Sequence, residues 1–211
     1  MSWRDSLGKT ESESTNRKRF PIDFNAPAIL CLFFASLLLL GVKSVTGDLV
    51  DRLLACYFTR WADLFMYPRL FTHVLDHQNL SHLTGNYLLL LVVGPMLEEK
   101  HGSSNLIKMM IITAGITGMI HVVFFQNIIL LGASGLVFMM ILLASFTNIR
   151  EGKLPVTVLL VGVLYIGNEV IRGVLSTDNI SQLSHIIGGI CGAGFGFILS
   201  SKHRSILDKR K

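Results

Sequence analysis

Apolar residues in this chain do not alternate with polar ones. They run together in long stretches, separated by short charged segments. The first uncharged stretch is Phe24–Val42. The second lies between Asp76 and Glu98, with its apolar part from Leu83 to Leu97. Met109–Ile149 is long enough for two spans and breaks at Gln126–Gly132, which is polar and then glycine-containing. Leu154–Leu175 follows, interrupted late by Glu169 and Arg172, and Asn179–Ser201 comes last. A helix needs about 20 apolar residues to cross a bilayer core. The pattern therefore predicts an all-α polytopic membrane protein with six transmembrane helices over residues 24–201. A polar, Ser/Thr/Glu-rich segment, residues 1–23, precedes them and is expected to be disordered. It is too long and too polar for a cleavable leader, so the first span is read as a retained helix. A basic tail, residues 202–211, follows.

Composition narrows the class. Of 211 residues, 51% are hydrophobic and 16% charged, against about 25% charged in an ordinary soluble domain. Mean hydropathy is +0.55. A disordered chain, a collagen-like fibre and a soluble α/β enzyme are excluded. Three scattered cysteines make neither a disulfide framework nor a CxxC site. The net charge of +5 suggests nucleic acid until its placement is read. Fourteen of the 19 Lys and Arg residues fall in the two tails and in the turns at Lys100–Lys108 and Arg150–Lys153. Such a bias marks cytoplasmic loops. It places both termini in the cytoplasm and makes the basic residues topology signals, with no nucleic-acid partner expected.

Polar groups then converge at one depth. Ionisable residues within membrane helices are costly and are functional candidates. Spans two, four and six all run inward. His82 and Asn86, one helical turn apart, lie near the start of span two. Ser134 starts span four within Gly132-Ala133-Ser134-Gly135, and His185 lies near the start of span six. Ser134–Thr147 is too short to cross a core of about 30 Å, so Ser134 is expected below the outer surface. The loop before it must then dip beside a wet cleft. The chemistry that fits is acyl transfer, with Ser134 as nucleophile and His185 as general base. The Ser134 N–H, the Asn86 amide and the His82 imidazole would face the oxyanion. No aspartate in the spans could orient His185, so a Ser–His dyad is expected. Phe138, one turn after Ser134, faces the same way and could pack on the His185 ring. Gly188, Gly192 and Gly196 form a small-residue ridge that could bring span six against span four near Gly135.

Taken together, Thr72-His73-Val-Leu-Asp-His77-Gln-Asn-Leu-Ser-His82-Leu-Thr-Gly-Asn86, Leu97-Glu98-Glu-Lys-His-Gly102, Gly132-Ala-Ser134-Gly135 and His185-Ile-Ile-Gly188-Gly-Ile-Cys-Gly192 resemble the rhomboid intramembrane serine proteases over roughly residues 69–200. The resemblance implies the six-helix rhomboid core of bacterial type and hydrolysis of a peptide bond in or beside a substrate's transmembrane helix. It implies Ser134 and His185 as the dyad, and His82 and Asn86 at the oxyanion hole. Arg69 matches the arginine of the family's first-loop motif, and Glu98 with Gly102 a structural pair after span two. Two positions depart from the family's pattern. Pro68 stands where many bacterial members carry tryptophan, and Phe138 where some carry tyrosine. They bear on first-loop packing and substrate preference.

Blander readings stand beside these. Ser134 alone would be a small residue at a helix contact, and His82 with Asn86 a capping or interhelical pair. The segment is not the soluble-hydrolase elbow, because Leu136 occupies the place of its second glycine. His73 and His77 are expected to hydrogen-bond to the first loop, His121 to be a satisfied buried histidine, and His101 and His203 to be solvated. The loop Ser44–Phe71, with Trp61 and Tyr67, is expected partly in the outer interface. No metal site and no cofactor are expected. The expected partners are transmembrane-helix protein substrates and the lipid bilayer, in a bacterial inner membrane. Oligomeric state is not readable. Two alternatives remain: a non-catalytic rhomboid-like binder of membrane clients, and a channel or proton-coupled carrier. The carrier would need a polar path across the whole bilayer, and the inner halves of spans two, four and six are apolar.

Overall fold

The computed structural model describes residues 24–149 and 179–208, together with positions 156, 160, 163, 164 and 167 between them. The described residues are almost entirely helical: α1 (Pro27–Thr46), α2 (Leu49–Leu54), α3 (Met66–Thr72) running into a 3-10 turn (His73–Leu75), α4 (Leu80–His101), α5 (Ser103–Phe124), α6 (Ser134–Ile149) and α7 (Asn179–Asp208). A single antiparallel bridge, Cys56 with Leu130, is the nearest approach to a strand among them. Among the described residues, four helices are long and apolar enough to cross a membrane: α1, α4, α5 and the Gln182–Leu199 part of α7. The chain is an integral membrane protein. The described part of α6 is about 24 Å long, against about 33 Å for α4.

The expected break at Gln126–Gly132 is the loop between α5 and α6. The fifth expected span, with its Glu169–Arg172 pair, lies largely outside the described residues, as does the tail 1–23. The five described positions within that span are helical. At the other end, α7 does not stop at Ser201 but continues as helix into the basic segment, to Asp208.

Local signals explain the helix ends. Pro27 opens α1, where a missing N–H costs nothing. The Asn79 side chain accepts from the His82 N–H at 2.9 Å and caps α4. Gly102, at φ +80°, makes the single-residue turn from α4 into α5. Pro68 lies in the first turn of α3, so its absent donor breaks no helix bond.

The core is built around α6, whose Leu136–Leu143 face is buried except for Leu142. α7 packs along α6 more extensively than any other pair, and α4 and α5 close the other sides. α1 lies against α4, where the Ser36 hydroxyl and the Tyr87 phenol hydrogen-bond at 2.8 Å and Tyr87 also donates to the Leu32 carbonyl. At the other end of α1, the Glu98 carboxylate accepts from the Ala28 and Ile29 N–H groups at 2.8 and 3.1 Å and from the Ser103 hydroxyl. A buried carboxylate thus satisfies orphan donors at a helix N-terminus, where the dipole favours negative charge.

Candidate active site

The end of the segment before Ser134, Gly132-Ala133, carries almost no side chain to hold it. Its backbone is fastened instead at closely spaced points. Leu130 and Cys56 exchange two hydrogen bonds of 2.8 Å. His121 Nε2 donates to the Ile128 carbonyl at 2.9 Å. The Gly132 N–H donates to the His73 carbonyl at 2.9 Å, and the Ala133 N–H to His77 Nε2 at 3.4 Å. The Ala133 carbonyl then accepts from Leu136 and Val137, which starts α6. Ser134 is the first residue of that helix and is half-buried.

Gly132 adopts φ +112°, a backbone region that side chains rarely enter. A Cβ there would lie 2.7 Å from the His82 ring and 3.6 Å from Asn86 Nδ2. The bare glycine thus lets the loop close directly onto the polar face of α4. Asn86 is 2% exposed, and its Nδ2 has no hydrogen-bond partner among the described residues. An unpaired buried donor costs about 1–3 kcal/mol, so it calls for a reason.

On the other side, α7 approaches α6 through glycine. A Cβ on Gly188 would lie 2.1 Å from the Gly135 carbonyl oxygen, and one on Gly192 2.1 Å from that of Met139. The Ser184 carbonyl is 3.5 Å from where a Gly135 Cβ would sit. The buried His185 ring stacks on Phe138, with centroids 4.4 Å apart and planes 15° from parallel. The imidazole therefore sits one turn along α6 from Ser134. Gly132 thus meets His82 and Asn86 of α4, while Gly135, Phe138 and Met139 of α6 meet Gly188, His185 and Gly192 of α7, and Ser134 begins α6 between these two sets of contacts.

The first loop frames it. Arg69 is 4% exposed, pairs with Asp63 at 3.1 Å, donates to the Phe65 carbonyl and lies over the Tyr57 ring at 4.1 Å. The Thr59 hydroxyl and the Phe65 N–H, with Arg69 beyond them, hold the Asp63 carboxyl below its usual range. Burial pushes both His73 and His77 down to about 4, so they are uncharged at neutral pH. His121 is buried. His101, expected in solvent, is half-buried, because α4 turns straight into α5 at Gly102. Trp61 and Tyr67 are exposed. No cluster of three or more His, Cys, Asp or Glu suited to a metal occurs among the described residues.

Sequence reading missed the bond from the Ala133 N–H to His77 and the cluster of Lys43, Asp51 and Asp76 behind it. The only trace in the sequence was a lysine late in an apolar span. Its partners stand 8 and 33 residues away. A family model described as Rhomboid domain matches residues 65–202. No curated protein matches the chain.

Proposed function

Since the chain belongs to the rhomboid family, we propose that it is an intramembrane serine endopeptidase that hydrolyses peptide bonds in or next to transmembrane segments of membrane proteins. The observation that carries this reading is the buried, unpartnered Asn86 Nδ2 beside Gly132 and next to the start of α6. A donor left open at such cost is suited to charge that exists only in a transition state. The His185 ring stacked on Phe138, one turn from Ser134, supports the same reading.

In the proposed reaction the Ser134 Oγ–H gives its proton to the His185 imidazole as oxygen attacks the scissile carbonyl. A C–O bond forms, and the carbonyl π pair moves onto oxygen. The Asn86 amide, the His82 ring and the Ser134 N–H at the helix N-terminus face that oxyanion. Collapse breaks the C–N bond, and the imidazolium protonates the leaving amine. Water then repeats the sequence on the acyl-enzyme. Every proton is handled by this one histidine, so the mechanism needs no cofactor. The proposed protease unit takes in α1 as well as the matched region, because Glu98 ties the start of α1 to the α4–α5 turn. The proposed location is a bacterial inner membrane with both termini inside.

The test is cleavage of a model transmembrane substrate in liposomes, with serine-directed phosphonate labelling. Wild type should cut and label, whereas Ser134→Ala and His185→Ala should each abolish cleavage. A folded wild type that neither cuts nor labels would make the protein a binder of membrane clients.

A further inference from the structure

Behind the candidate site lies a partly buried polar cluster that the proposed chemistry does not use. Lys43, near the C-terminal end of α1, is ion-paired with Asp51 of α2 and, at 3.2 Å, with Asp76 of the first loop. The same ammonium donates to the His77 carbonyl at 3.2 Å. Asp76 is 1% exposed, and its Oδ2 has no hydrogen-bond partner among the described residues. The His77 ring is specified at both nitrogens. Nδ1 faces the Leu75 carbonyl at 3.3 Å, which can only accept, so Nδ1 carries the proton. Nε2 is then free to accept from the Ala133 N–H. The ring also lies edge-on to His82, with centroids 5.3 Å apart.

We propose that Lys43, Asp76 and His77 are positioning residues of the protease reaction. They form a clamp from α1 through the first loop to the Ala133 amide, and hold Gly132 and Ser134 in register with His82 and Asn86. The kinetic consequence rests on the protease reading, but the clamp itself does not. Its physical basis is the backbone between Leu130 and Ser134, which has few side-chain anchors of its own. A loop held only by neighbouring backbone would drift by a fraction of an ångström, and a 1 Å misplacement of reacting groups can cost about 100-fold in rate.

Titration adds a second consequence. Burial and the neighbouring Asp51 carboxylate raise Asp76 to about 6, against the lowering pull of Lys43. The groups facing it are Lys43 of α1, Asp51 of α2 and, in the same loop, His77, which in turn meets His82 of α4. The ion pair is therefore present above about pH 6. As pH falls through that value, Asp76 takes up a proton and its hold on Lys43 weakens.

The experiment combines nitrogen-15 NMR of histidine-labelled protein in detergent with cleavage kinetics on the model substrate. His77 should appear as the neutral Nδ1–H tautomer from about pH 8 to about pH 5. Lys43→Met should keep that tautomer, which the Leu75 carbonyl specifies, and shift the His77 Nε2 signal as the Ala133 N–H moves off it. His77→Phe, which keeps a ring but removes the acceptor, and Lys43→Met should each lower kcat by about 10- to 100-fold with KM unchanged. His77→Gln, whose Oε1 can accept in place of Nε2, should recover most of that loss. The fall in wild-type rate below about pH 6 should be shallower in Asp76→Asn, which starts from a lower rate. A His77 proton on Nε2 in wild type overturns the clamp, and so does wild-type kcat in Lys43→Met. Either result leaves the protease reading standing if wild type cuts. If wild type does not cut or label, the protease reading fails and the tautomer measurement still decides the clamp. Should His77→Phe not fold, wild-type NMR and Lys43→Met carry the test.

Discussion

A carboxamide that is 2% exposed and whose Nδ2 finds no partner among the described residues is held against its own desolvation cost. Asn86 is fixed because it is one turn from His82 on α4 and faces the bare Gly132. If its amide serves a developing oxyanion, removing it harms the transition state far more than the substrate complex. Asn86→Ala is expected to lower kcat by about 10²–10³, or about 3–4 kcal/mol, with KM little changed. Equal losses in substrate binding and turnover, read from steady-state kinetics in liposomes, would contradict that role. Stability should fall little, because the amide makes no bond through Nδ2 to lose. Gly132 answers to a different constraint, since both its φ of +112° and the nearby His82 ring bar a side chain there. That requirement is invisible in a GxSG motif alone and appears only when α4 is seen behind the loop.

Helices in this molecule meet where side chains are absent. Gly188 lies against the Gly135 carbonyl and Gly192 against that of Met139, one turn apart along α7. Gly188→Ala would place a methyl 2.1 Å from an oxygen, so α7 must move outward and take His185 off Phe138. The expected cost is about 1–3 kcal/mol of stability, with near-complete loss of cleavage. Gly194→Ala meets nothing within 4 Å and should change neither by more than a small amount. Unfolding in mixed detergent and the cleavage assay read the two effects. This contact was legible beforehand because small residues at steps of four define a face without any tertiary knowledge. The break at Gln126–Gly132 was legible for a like reason, since polar residues and glycine interrupt an apolar run. The bonds from Glu98 to Ala28 and Ile29 were not, because they join groups about 70 residues apart and require α1 to be docked first. Their worth can be measured. Glu98→Gln removes charge from a helix N-terminus and is expected to cost about 1.5–3 kcal/mol in the same unfolding assay, while leaving the groups around Ser134 in place.

Across the whole molecule, the proposed site is compatible with a bilayer only if the non-helical backbone ahead of α6 is satisfied. The described part of α6, Ser134–Ile149, starts at this site, with the irregular segment Phe125–Ala133 ahead of it. Non-helical backbone ahead of it is tolerated within a membrane only where protein or water satisfies it. Bonds to Cys56, His73, His77 and His121 supply that satisfaction from the first loop and α5. The first loop thus roofs the site, and the side on which it lies decides where the cleft opens. From the placement of Lys and Arg, the expectation is that the α4–α5 turn is cytoplasmic and the first loop outside. Leu64, 79% exposed in that loop, and Ser104, exposed at the turn, report the two sides directly. With the native cysteines replaced, a membrane-impermeant maleimide should label Leu64→Cys in intact cells and Ser104→Cys only after permeabilisation. The reverse pattern would turn the cleft toward the cytoplasm and, with it, the compartment from which a substrate's scissile segment must descend. Labelling of both in intact cells would mean mixed insertion, and the charge bias would then not be what orients this chain.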